Sequence, residues 1–347
     1  MIQTVLSAYG FKEGETNVEA FGKGLINNTW KVTAAGKTYI LQRINDRVFQ
    51  QPRHIADNIK LIKDHLDQHF PGYNFVAPVP SIDGDEMVFI KEQGFFRLFP
   101  FVKGSHSKDV VETPRQAYEA AVQFGRFTRL LSAIDIEKLK ITIPDFHNLS
   151  FRFHQFGDAL KNGNKERIND SKDLVKGISG HSGIVRIYEQ LKTDPAFRLR
   201  VTHHDTKISN VLFDEKDKGL CVIDLDTVMP GYFISDVGDM LRTYLSPVSE
   251  EEKDPGKIEI REAFYKAIVQ GYRDEMKDEL TEAEMSYFFY AGQFMIYMQA
   301  VRFLTDHIND DVYYGAAYPA HNFMRAKNQL TLLNRLLEKK SLLADLI

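Results

Sequence analysis

The chain of 347 residues is too long for one ordinary hydrophobic core, so two domains or lobes are expected. Its 43% hydrophobic and 27% charged residues are ordinary for a globular protein, and a formal net charge of −4 gives no basis for a general nucleic-acid or anionic-membrane binder. The single cysteine, Cys221, excludes an intrachain disulfide; inside the apolar run "GLCVIDLD" it reads as a small buried strand residue, and such usage fits a reducing, cytoplasmic setting.

The opening "MIQTVLSAYGFKEGE" lacks the basic start and long apolar run of a signal peptide. From Asn17 to Asn45, strand-like runs alternate with turn signals: "FGKG" (Phe21–Gly24) is one turn, and "AAGK" joins two strands as a hairpin. A helix follows, with Pro52 near its start and Ile55, Ile59, Ile62 and Leu66 on one face. "FVAPVPSIDGDEMVFIKEQGFFRLFPFVKG" returns to strands, with "DGDE" as a turn. The region therefore reads strand, strand, helix, strand, strand.

After "KGSHS" the character changes. Thr113 is the expected N-cap and Pro114 the first residue of an Ala-rich helix. "KDLVKGISGHSGIVRIYEQLKT" holds a further helix, Val201–Gly231 reads strand, turn, strand, and the chain is mainly helical from Glu250 onward. The apolar stretch Met285–Leu304 is interrupted by Gln293, Gln299 and Arg302, which marks a buried helix rather than a membrane span. The expected division is an N-terminal lobe over residues 1–103 and a C-terminal lobe over residues 104–347.

Chemistry concentrates in "VTHHDTKISNVLFDEKDKGLCVIDLDTVMPG". Asp205 and Asn210 are five residues apart in a loop leading into "NVLF", and Asp224 ends the next apolar run. If "NVLF" pairs with "LCVI", Asn210 and Asp224 come to one end of a ribbon with Asp205 beside them. Phosphoryl transfer needs such a set: a carboxylate to orient an acceptor hydroxyl and take its proton, and an Asn and an Asp to hold Mg²⁺. A zinc site is the weaker reading of the His203–His204 pair, because further spaced ligands are missing. A solvated hairpin is the plainest one.

His203, Asp205 and Asn210 match the HxDxxxxN catalytic loop of the protein-kinase-like small-molecule kinases, a group that includes aminoglycoside phosphotransferases, choline kinases and homoserine kinases. "IDLD" (Ile223–Asp226) resembles their metal-binding loop and "SDVGDMLR" its acidic continuation. "GLINNTWKV", "YILQRIN", "FRLFPF", "CVIDLDTVMPG" and "VRFLTD" further resemble the bacterial N-acetylhexosamine 1-kinases, which phosphorylate an anomeric hydroxyl with ATP. Within "GLINN", Leu25 and Asn28 replace the His and Asp of the "GHIND" in those enzymes, which puts the sugar's identity in question.

The resemblance implies an α+β, protein-kinase-like fold with a small β-rich lobe, a larger helical lobe, and ATP and Mg²⁺ between them. Asp205 would be catalytic, and Asn210 and Asp224 would hold the metal. Gly22 and Gly24 would cover the phosphates, and adenine would lie against the backbone near Pro100 and Val102. Arg43 is favoured over Gln42 as the phosphate cation, with Asp57 as its possible helix partner, because strand alternation lets only one of the two face the cleft. Asp226 is expected as a second metal ligand or substrate contact. Arg302 and Asp306 are expected either in the acceptor pocket or as a plain i,i+4 ion pair. Asp236 and Asp239 are expected to brace the catalytic loop, as is His203. The expected partner is a small molecule, a sugar first, with homoserine, choline, methylthioribose or an aminoglycoside as alternatives and an inactive binding module as the other class. Neither nucleic acid nor membrane is expected.

Overall fold

The structure, a computed structural model, describes residues 2–22 and 27–344. After helix α1 (Ile2–Ala8) come strands β1 (Thr16–Ala20), β2 (Asn28–Ala34) and β3 (Lys37–Arg43), helix α2 (Pro52–His69), and strands β4 (Val88–Ile90) and β5 (Gly94–Pro100). They form one antiparallel sheet in the order β1-β2-β3-β5-β4. The hairpin at Ala35-Gly36 has both residues at positive φ, as a tight two-residue turn requires. Alternation sorts the sheet's faces. Val32, Leu41, Phe96 and Leu98 join Val5 and Leu6 of α1 in one small core, while Gln42 and Arg97, paired in register, face the other way.

The sequence grouped α2 with these strands, but its apolar face does not cover them. Ile55, Ile59, Ile62 and Leu66 belong to the large core of the helical lobe. Asn58, buried on the same helix, donates to the carbonyls of Lys140 (2.8 Å) and Val228 (2.9 Å) and accepts the Lys140 N–H (2.7 Å).

The second lobe contains α3 (Pro114–Leu130), α4 (Leu149–Asn162), α5 (Lys165–Asp170), α6 (Lys172–Gly180), α7 (Gly183–Thr193), α8 (Phe233–Tyr244), α9 (Glu262–Met276), α10 (Glu282–Met285), α11 (Phe288–Ile308), α12 (His321–Glu338) and α13 (Lys340–Ala344). Thr113 caps α3 through a reciprocal box with Gln116, and Pro114 takes the first helical position. α11 is the buried axis, packed on α8, α12 and α4. Gly238 and Gly271 permit the closest crossings: a Cβ on Gly238 would collide with the Ala291 carbonyl of α11, and one on Gly271 with the Tyr118 carbonyl of α3. No helix among the described residues is long and apolar enough to cross a membrane. Two short ribbons complete the lobe: β6 (Arg200–Thr202) with β9 (Met229–Gly231), and β7 (Val211–Phe213) with β8 (Gly219–Val222).

Candidate active site

β6 delivers the chain to His203, and the loop after it is held by the start of α8. The Asp236 carboxylate accepts the N–H groups of His203 (3.0 Å) and His204 (2.7 Å). Asp239 accepts the Thr206 N–H at 2.8 Å and pairs with Arg242 at 3.0 Å. Thr206 Oγ1 donates to the Asp236 carbonyl, and the Tyr244 hydroxyl donates to that of Thr206. Burial pushes Asp236 up to about 7, against the pull of its two backbone donors. His203 is buried against Phe124, and its Nε2 donates to the Ile223 carbonyl at 3.0 Å, tying this loop to the next. His204, at φ +66°, turns inward onto Ser235 and His147.

Asp205 stands half-open in the middle of this frame. Asn210 donates to its Oδ2 at 3.1 Å and to its carbonyl at 2.8 Å, and Lys207 Nζ lies 3.1 Å from the same carboxylate. Burial disfavours the Lys207 charge, but Asp205, Asp224 and Asp239 together hold its pKa above the usual lysine value. β7 and β8 pair with Val211 opposite Val222, and the Ile223 N–H donates to the Asn210 carbonyl at 2.9 Å. The ribbon therefore brings Asn210 beside Asp224.

Asp224 takes a left-handed conformation (φ +62°) that swings the chain off β8 into the short turn Leu225–Thr227. It is exposed at the cleft, with the carboxylates of Asp226 and Asp205 nearby. Loss of surrounding water, then repulsion by Asp226 and Asp205, pushes its carboxyl up to about 7. A divalent cation would relieve that crowding, and carboxylate and amide oxygens are the donors Mg²⁺ prefers. No group of three His, Cys, Asp or Glu among the described residues gathers as a metal site. A cation here would therefore draw on Asn210, Asp224 and oxygens from outside the protein.

Several expected residues are placed differently. Arg43 sits on the sheet face away from Asp226, its guanidinium beside Gly94, because alternation puts Gln42 on the opposite side. Arg97 of β5, which the sequence reading passed over, is a buried cation on the same sheet face as Gln42. Arg97 donates from two of its nitrogens to Gln42 Oε1 (2.8 and 3.1 Å) and forms an ion pair with Asp226. Asn27 donates to the other Asp226 oxygen at 2.7 Å and accepts the Asn45 N–H at 3.0 Å. Asp226 is thus engaged from the sheet lobe by both Arg97 and Asn27. The signal for Arg97 was a lone arginine between Phe96 and Leu98 in a strand, where alternation turns it to the face opposite the small core.

Asp306 and Arg302 do not pair with each other. Asp306 accepts the N–H groups of Tyr313 (2.7 Å) and Tyr314 (2.9 Å) and the Asn322 amide (3.1 Å), so it shapes the loop after α11 while lining the same hollow as Arg302. Arg302 lies over Phe146 and donates to Gln299 and to the Tyr313 hydroxyl. Pro100 ends β5, and Val102 follows in the connection to the helical lobe, its carbonyl taken by the Ser105 hydroxyl at 2.7 Å. Gly22 is exposed at φ +76° with open space around it, whereas Gly24 and Leu25 lie outside the described residues.

A sheet lobe over a helical lobe, with a braced Asp–Asn loop facing an Asp-bearing turn, defines a protein-kinase-like fold carrying a phosphotransferase-type site. Residues 17–283 match the phosphotransferase enzyme family, and the chain belongs to that family as a small-molecule kinase. Among solved structures, it is similar to an aminoglycoside phosphotransferase from Alicyclobacillus acidocaldarius subsp. acidocaldarius DSM 446, with 14% identity, 99% of this chain and 96% of that one covered, and a TM-score of 0.66. A microcompartment-associated aminopropanol kinase matches at 17% identity, 99% and 97% coverage and a TM-score of 0.64. An amicoumacin kinase in complex with AMP-PNP, Ca2+ and Ami matches at 17% identity, 96% and 93% coverage and a TM-score of 0.64.

Proposed function

We propose that the protein transfers the γ-phosphoryl group of ATP to the anomeric hydroxyl of an N-acetylhexosamine, giving a sugar 1-phosphate. The observation that carries the phosphoryl-transfer part is the placement of Asp205, Asn210 and Asp224 around one opening, with Lys207 on the Asp205 carboxylate. Asn210 and Asp224 would hold Mg²⁺, which when bound neutralises charge on the phosphates. Asp205 orients the acceptor hydroxyl and takes its proton as transfer proceeds. Lys207 pairs with that carboxylate and brings positive charge toward the transferred group. Arg97 takes the part expected of Arg43, as the buried cation of the sheet lobe. The backbone near Pro100 and Val102 would meet the adenine, and the turn at Gly22 the phosphates. The AMP-PNP and Ca2+ of the amicoumacin kinase complex support a nucleotide and a divalent metal for this fold.

The sugar part of the proposal rests on sequence likeness at "CVIDLDTVMPG" and "VRFLTD". An anomeric hydroxyl is also more acidic than other sugar hydroxyls, so one aspartate suffices as its base. Buried Arg152 and Arg302 disfavour a cationic amino alcohol or aminoglycoside near them. The one buried cysteine supports a reducing, cytoplasmic setting. The test is an ATP-consumption screen over free sugars, amino alcohols and aminoglycosides, with phosphorus NMR of the products. A sugar 1-phosphate is the expected product. Good turnover of an amino alcohol without sugar turnover would overturn the acceptor and leave the kinase standing.

A further inference from the structure

Between α4 and α11, beneath the loop that carries Tyr313 and Tyr314, lies a hollow of about 380 Å³. Two arginines line it, Arg152 and Arg302, each only 8% exposed. Buried guanidinium groups are ordinarily paired with carboxylates, because they do not shed their charge and are costly to desolvate alone. Neither arginine has such a partner among the described residues. Arg152 donates to Gln155 at 3.0 Å, and its Nε is buried without an acceptor; Arg302 donates to Gln299 and the Tyr313 hydroxyl. The Tyr314 hydroxyl, also lining the hollow, is buried without a partner.

The two carboxylates on the wall do not answer these charges. Asp306 is turned onto the backbone of its own loop, and Asp158 sits outside in solvent near Lys161. Burial, then the charge of Arg302, depresses the pKa of Arg152, so the two guanidinium groups work against each other. Two unpaired cations, a free hydroxyl and open volume together form a receptor lacking its negative charge.

We propose that this hollow binds a small anion through Arg152 and Arg302, a carboxylate or a tetrahedral oxyanion such as sulfate or a phosphate group. Planar guanidinium forks suit both shapes. The anion is either an acidic substituent on the hexosamine, such as a phosphate group, or a free ion acting beside a neutral sugar. Phe146 links the hollow to the catalytic loop, lying under Arg302 and stacked on His147, whose ring meets His204 next to Asp205.

The test begins with binding alone, so that it stands apart from the kinase reading. Inorganic sulfate is titrated calorimetrically into nucleotide-free protein and again with ADP present. The expected result is saturable binding that persists with ADP and weakens at least tenfold in Arg152→Met and in Arg302→Met. Sulfate should also raise the thermal midpoint of the parent protein, and that rise should disappear in Arg152→Met. Should Arg302→Met not fold, Arg152→Met decides alone. Equal sulfate affinity in parent and Arg152→Met, or no saturable binding, overturns the site. Kinetics then separate the sources. Sulfate competing with the acceptor assigns the hollow to an acidic group of the acceptor, and sulfate changing the rate without competing assigns it to a free anion.

Discussion

Arg97 of the sheet lobe and Asp226 of the helical lobe form an ion pair at the cleft, exposed by only 1% and 3%. It is the most deeply buried charge contact between the lobes, and Gln42 and Asn27 satisfy the remaining hydrogen-bonding groups. Breaking a buried pair on one side leaves an uncompensated charge at a cost of about 3–5 kcal/mol, whereas replacing both partners with apolar residues costs far less. Arg97→Met and Asp226→Leu should therefore each destabilise strongly, and the double variant should be more stable than either. Chemical denaturation of the three proteins checks this. Additive losses would show that the two charges do not depend on each other.

Asp205→Asn keeps the shape of the loop and removes both charge and basicity. The frame built by Asp236, Asp239 and Tyr244 does not involve the Asp205 carboxylate, so the thermal midpoint should change little. Acceptor phosphorylation should fall by about 10²–10⁴-fold, the usual contribution of a positioned base. Near-normal turnover would remove Asp205 from the chemistry.

Asn210→Ala and Asp224→Asn should both raise the divalent metal concentration needed for half-maximal rate, with Asp224→Asn the more severe because it loses formal charge. Asn is the appropriate replacement at 224, since it tolerates the left-handed backbone that Ala would strain. Metal titrations of the two variants matching the parent would show that the ribbon end is not the metal site.

His204 is buried, and loss of water depresses its pKa from 6.5 to about 4; His147 and His203 are lowered in the same direction by burial. The unfolded chain therefore takes up protons near pH 6.5 that the folded chain refuses until about 4. The stability this confers is fully present above the unfolded value and is lost as pH falls through the folded one. Asp224 and Asp236, raised to about 7, act in the opposite sense, so the histidine contribution is read as a difference: as pH falls across this window the parent's thermal midpoint should fall relative to that of His204→Asn, which also accepts the positive φ at this position. An unchanged slope in the variant would assign the acid sensitivity to other groups.

The proximity of Asp205, Asn210 and Asp224 was legible because it is local. Asp205, Asn210 and Asp224 are joined by one short ribbon whose pairing follows from two apolar runs, so spacing alone placed them together. Arg97 and Asp226 were not legible, because they lie far apart in sequence and only the closing of two lobes makes them partners. The choice between Gln42 and Arg43 turned on which sheet face was covered, and α1, too short for clear periodicity, supplies that cover. The plain i,i+4 ion pair between Arg302 and Asp306 does not form, because two backbone N–H groups in a tight loop hold the Asp306 carboxylate, a partnership that spacing along a helix does not reveal.

The allegiance of α2 has a consequence for how the molecule comes apart. The sheet with α1 has one apolar interior and α2 shares the other, so cooperativity is divided along the seam between α2 and the strands rather than at the chain connection after β5. The smaller unit has the smaller reserve and opens first, while α2, fastened through Asn58 to the Lys140 and Val228 carbonyls, persists with the bulk of the protein. Amide hydrogens of β1 to β5 should thus exchange as one fast group and those of α2 as part of the slow one. A nucleotide bound across the seam would draw the two rates together.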